Sequence, residues 1–66
     1  MVRAIILLPA KNEESGIGEV IDRIPSEAIS SEGFDPEIIV VDGNSEDSTV
    51  EIARGMGSRI IIQNSG

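Results

Sequence analysis

The 66-residue sequence predicts an α/β fold of the order β-α-β-α-β, with a parallel sheet whose strands lie in the order 3-2-1. Three observations carry this. Short apolar runs rich in β-branched residues recur at Ala4–Leu8, Ile38–Val41 and Ile60–Ile62, each too short for a stable helix. Between them lie two stretches whose apolar residues repeat with the helical period. Finally, the first two runs break off into polar turn formers, Pro9–Glu14 (PAKNEE) and Asp42–Asp47 (DGNSED), as strands do where they hand over to loop and helix.

Arg3–Leu8 is the first strand, with Pro9 expected to stop its ladder. The polar connection that follows contains Ser15 and Gly16, which can begin a helix. Ile17, Val20, Ile21 and Ile24 then stand at i, i+3, i+4 and i+7, one stripe of a helix packed on a sheet. Pro25 ends or bends that helix, and Ser26–Ile29 can add a turn. Ser30–Pro36 carries Gly33, Asp35 and Pro36, a loop signature beneath which Phe34 is expected to tuck. Glu37–Val41 is the second strand. The second helix runs from Asp47 or Ser48 to Met56, with Thr49, Ile52, Ala53 and Met56 at helical spacing and Gly57 as the C′ residue. Arg59–Gln63 is the third strand, and Asn64–Gly66 reads as the start of another loop.

Handedness adds a consequence. Two right-handed crossovers advancing in one direction place both helices on the same face of the sheet. Yet Ile5, Leu7, Ile39, Val41 and Ile61 are as apolar as their neighbours, and strands apolar on both faces are normally covered on both. Residues 1–66 are therefore expected to form a single partial domain. The missing layer comes either from further chain or from a partner, and self-association through the uncovered face is one expected outcome.

Composition excludes several classes. The chain has 12 acidic against 5 basic residues, a net charge of −7 and an aromatic content of 2%. That balance repels phosphate backbones and offers no stacking platform, so nucleic acid is not an expected partner. With Cys 0 and His 0 there are no disulfides, no thiolate or imidazole ligands and no imidazole base, so a metal would need oxygen ligands. The longest apolar stretch is far below the ~20 residues of a membrane span, and no signal-peptide pattern precedes it. A cytoplasmic chain is the resulting expectation.

In open α/β sheets ligands sit at the carboxyl ends of the strands, where both polar loops fall. Asp42 ends the second strand, and there it either accepts hydrogen bonds from a nucleotide's ribose or base or closes its own loop through backbone N–H groups. Asp47 suits the N-cap of the second helix. Ser45 and Thr49 suit loop and cap roles, since no base is present to activate them as nucleophiles. Across the crevice, small Ala10 permits close approach of a ligand, Glu13 can accept from a ribose or base, and Lys11 can meet a phosphate. Two motifs fail. Gly16-Ile17-Gly18 lies too far from the strand for a dinucleotide fingerprint and has Ile21 at the third glycine position. Asp42–Asp47 has Asp47 where a calcium loop needs Gly and Ala53 where it needs Glu.

LLPAKNEE followed by IIVVDGNSEDST, then by EIAR and RIII, resembles the paired nucleotide-sugar signatures of the family 2 glycosyltransferases, near the dolichyl-phosphate mannosyl- and glucosyltransferases. The resemblance covers essentially the whole chain. It implies a Rossmann-like half, the N-terminal part of a GT-A fold. It implies that Pro9, Ala10, Asn12, Glu13 and Asp42 bind the nucleotide of a UDP- or GDP-sugar, while Asp47 and Ser45 hold the second loop in shape. It also implies Mg²⁺ or Mn²⁺ in a complete enzyme, held by an Asp-x-Asp beyond the third strand. No catalytic residue and no metal ligand is expected within this chain, and the segment alone is expected to be inactive. The competing expectation is a non-catalytic nucleotide-binding or assembly module completed by another chain.

Overall fold

The computed structural model describes residues 2–63. Its elements are β1 (Val2–Ala10), α1 (Ile17–Asp22), α2 (Ser26–Ser31), β2 (Phe34–Asp42), α3 (Thr49–Gly55) and β3 (Arg59–Ile62). All strand pairs are parallel in the order β1-β2-β3, the expected 3-2-1 order seen from the other edge. The expectation for Asn64–Gly66 lies outside the described residues.

Both proline readings are corrected by the register. Pro9 pairs with Val41, and the ladder continues to Ala10 opposite Asp42. The Ala10 carbonyl accepts the Gly43 N–H, so Ala10 faces β2 and Pro9, one residue earlier, turns its missing N–H to the free edge, where no ladder bond is lost. Pro36 likewise lies inside β2 opposite Ala4 rather than in a loop. Its N–H side faces β3, whose pairing begins only at Ile39 opposite Arg59. Phe34 consequently opens a strand and is 42% exposed, not tucked beneath a loop.

One layer of helix covers one face. Ala10, Ile17, Ile21, Val40 and Ala53 form the core, with Leu8, Ile38, Ile52 and Ile60 packed against it. The first helix is shorter than its stripe, because Ile24 lies beyond Asp22 and Pro25 restarts the chain as α2. At the end of α3, Gly57 adopts φ 89°. Its N–H donates to the Arg54 carbonyl and that of Ser58 to the Ala53 carbonyl, the paired bonds of a Schellman cap. The opposite face is bare: Ile5, Leu7 and Ile61 are exposed there, while Ile39 is sheltered between Leu7 and Arg59. At the amino end of that face Glu37 bridges Arg3 (3.3 Å) and Arg59 (3.4 Å), tying all three strands together.

Helices α1 and α3 touch at Gly18, where an added Cβ would stand 3.5 Å from Met56 Sδ and 3.6 Å from Ile52 Cγ2. Those are ordinary contacts. Gly18→Ala is therefore expected to stabilise the chain by about 0.5–1 kcal/mol, through reduced backbone entropy of the unfolded state, as a higher urea midpoint at unchanged slope.

Candidate functional site at the carboxyl edge

The register brings the two polar loops together. Because Ala10 stands opposite Asp42, the first lip (Lys11–Glu14) and the second lip (Gly43–Ser48) leave the sheet side by side. They are then stitched by hydrogen bonds between residues more than thirty positions apart. The N–H groups of Asn12, Glu13 and Glu14 donate to Ser45 Oγ (2.8 Å), Thr49 Oγ1 (2.8 Å) and Asp47 Oδ2 (3.3 Å). In return, Glu46 N–H donates to Asn12 Oδ1 (2.9 Å) and Ser48 N–H to Glu14 Oε2 (3.2 Å). Asn12 and Asn44 sit in the left-handed region, at φ 51° and 68°, where asparagine is one of the better-tolerated side chains.

Asp42, at the end of β2, and Asp47, in the second lip, both serve this lattice. Asp42 is fully buried, with Oδ2 accepting the Ser45 N–H (2.7 Å) and Oδ1 accepting the Ser45 hydroxyl (2.5 Å). Of its two sequence readings, the loop-closing one is visible here. Asp47 accepts the Thr49 N–H at 3.0 Å and the Thr49 hydroxyl through the same oxygen, Oδ1. It thus anchors the start of α3 from one position before the Ser48 N-cap, which makes no side-chain capping bond of its own.

The Thr49 hydroxyl, followed by the backbone N–H donors, lowers the Asp47 pKa below its ordinary 3.8. The folded state therefore favours the carboxylate. This stabilisation is complete above the unfolded pKa and is lost as pH falls through the lower folded value. Acidification below about pH 4 is expected to lower the exchange protection of the Glu14 and Thr49 amides, relative to their intrinsic rates at each pH, before it affects the β2 amides, as followed by NMR.

Beside these lips lies a cavity of about 430 Å³. Of the residues expected at a nucleotide site, Pro9, Ala10 and Glu13 line it, whereas Asn12 and Asp42 do not and instead hold the lips together. Lys11 contributes a cation. The sequence reading missed Leu8, Ile17, Val20, Val41, Gly43 and Gln63 on the wall. Gly43 had a usable signal, since it follows the strand-ending Asp42. Gln63 is carried there by pairing, its N–H donating to the Asp42 carbonyl at 2.7 Å. Among the described residues no three acidic side chains converge as a cation site, and no helix is long and apolar enough to cross a membrane.

Comparison with known proteins places the chain in a family. Glucosyl-3-phosphoglycerate synthase of Petrotoga mobilis is 37% identical over 59 residues, covering 89% of this chain and 18% of that protein. The 4,4'-diaponeurosporenoate glycosyltransferase of Staphylococcus haemolyticus is 34% identical over 55 residues, covering 83% of this chain and 13% of that protein. The chain thus spans less than one fifth of the length of either relative. No solved structure matches it. The profile of glycosyl transferase family 2 matches residues 5–65, a span that runs from within β1 through β3 and takes in both lips. With its parallel sheet and paired loops agreeing with that match, the chain belongs to glycosyl transferase family 2.

Proposed function

We propose that the crevice receives the nucleotide of a UDP- or GDP-sugar. Within a longer protein, residues 1–66 would then be the donor-binding end of an enzyme that moves the sugar to a lipid phosphate, saccharide or protein acceptor, at the cytoplasmic side. The observation that carries this is the cavity of about 430 Å³ at the carboxyl edge of the parallel sheet, lined by Ala10, Lys11, Glu13 and Gly43. Small residues at Ala10 and Gly43 leave backbone open to a ligand, Glu13 offers an acceptor for ribose or base, and Lys11 offers a charge to phosphate. In this reading Pro9, Ala10 and Glu13 form the pocket surface. Asp42 and Asn12 set its shape through their bonds to Ser45 and Glu46.

Transfer itself is assigned elsewhere. The described residues form no cation site, and a net charge of −7 opposes a diphosphate leaving group. Mg²⁺ or Mn²⁺ belongs, in this proposal, to an Asp-x-Asp of a longer chain. The test has two arms. Titrating the 66-residue chain with UDP or GDP is expected to shift the Ala10, Lys11, Glu13 and Gly43 amides weakly and to release no nucleotide from UDP- or GDP-sugars. A chain extended through an Asp-x-Asp is expected to gain metal-dependent turnover. Unshifted lip amides would overturn the site, and an inactive extended chain would favour the second reading, a non-catalytic nucleotide-binding or assembly module. The bare face with Ile5, Leu7 and Ile61 exposed is the observation that supports that second reading.

A further inference from the structure

We propose that Thr49 is a positioning residue for the first lip, its buried hydroxyl fixing Glu13 where Glu13 lines the crevice; the importance of that placement for binding rests on the nucleotide reading above. Thr49 is fully buried at the start of α3. Its hydroxyl carries one proton. That proton goes to Asp47 Oδ1, since a carboxylate only accepts, which leaves the Oγ1 lone pair aimed at the Glu13 N–H 2.8 Å away. The Glu13 carbonyl is held as well, accepting the N–H groups of Gly16 (3.0 Å) and Ile17 (2.8 Å) at the entry to α1. Glu13 is therefore clamped on both sides of its Cα, by α3 through Thr49 and by α1 directly.

The neighbouring residue repeats the arrangement. The Ser45 hydroxyl donates to Asp42 and accepts the Asn12 N–H at 2.8 Å. Two consecutive amides of the first lip are thus oriented by two hydroxyls, Ser45 of the second lip and Thr49 at the start of α3, each turned by its own carboxylate. The lip's path, including the left-handed turn at Asn12, is imposed from the other loop. Thr49 is the stricter of the pair because the residue it holds contributes to the cavity wall, whereas Asn12 does not.

Thr49→Val keeps the shape and removes the hydroxyl, while Thr49→Ser keeps the hydroxyl. In the 66-residue chain, Thr49→Val is expected to raise amide exchange at Glu13 about tenfold relative to the β2 amides, the effect of one lost hydrogen bond, and Thr49→Ser to leave it within about threefold. UDP or GDP should bind about tenfold more weakly to Thr49→Val, with Thr49→Ser restoring affinity. Unchanged Glu13 exchange in Thr49→Val, or Ser behaving as Val, overturns the positioning role. Unchanged nucleotide affinity in Thr49→Val overturns its bearing on binding. If no form responds to nucleotide yet Glu13 protection is lost in Thr49→Val alone, the nucleotide reading fails and the positioning of Glu13 stands. Should Thr49→Val not fold, the unsubstituted chain decides: a slowly exchanging Thr49 hydroxyl proton close to the Glu13 amide proton is expected, and its absence overturns the proposal.

Discussion

Asp42→Ala is expected to lower the unfolding free energy by about 3 kcal/mol, and Asp42→Asn by only about 1 kcal/mol. Alanine removes the acceptor for both the Ser45 N–H and the Ser45 hydroxyl at a fully buried position. Two donors are then stranded. Each hydrogen bond to a charged group contributes about 1.5–3 kcal/mol, and partial relaxation of the loop toward water recovers some of the sum. Asparagine retains an oxygen for the Ser45 N–H, and its amide can donate to Ser45 Oγ, which still accepts from Asn12. A domain of this size buries only about 60% of its unfolded surface and has a small stability margin, so the alanine change should leave a visible unfolded population at 25 °C. Urea melts of the three forms provide the measurement. Equal losses in both variants would show that Asp42 acts through its charge rather than through the Ser45 geometry.

The second large effect is expected on the bare face. The isolated chain should bind a hydrophobic dye and sediment with a concentration-dependent mass, because Leu7 is 61%, Ile5 57% and Ile61 49% exposed on one contiguous surface. Leu7→Lys combined with Ile61→Lys should abolish both behaviours with little loss of stability, since neither side chain belongs to the core. Unchanged sedimentation in the double variant would place association elsewhere, for example at the free edge of β3. A monomeric parent chain without dye binding would show that the face is tolerated by water.

The features behind these two effects differ in how far residue type alone reveals them. The strands could be read from their β-branched runs and the helices from stripes such as Thr49, Ile52 and Ala53, because these signals are local. The start of β2 was hidden by Pro36, whose acceptability depends on where β3 begins, a fact of pairing rather than of composition. The same holds at the site. That Asp42 ends a strand was visible, but which oxygen meets which donor was not, and Asn12 facing Ser45 follows from the Ala10–Asp42 register thirty-two positions apart. Gln63 reaches the crevice for the same reason. Residue type announced where polar chemistry gathers, while pairing decided which groups form the wall and which form the scaffold.

The pairing of Ala10 with Asp42 also governs which changes in chain length the architecture can absorb. One residue added inside β1 or β2 would shift every lip-to-lip partner by a position and turn the core stripe of that strand outward. The segment between Asp22 and Phe34 has no such obligation. Helix α2 buries none of its residues, and Gly33 turns the chain at φ 89° with nothing near its Cα that a side chain would strike. Insertions, tags or a new chain opening placed between Ser31 and Gly33 would leave the phase of the two strands untouched. This chain can therefore be lengthened or recut at the end remote from the crevice, whereas its two long strands must keep their residue count.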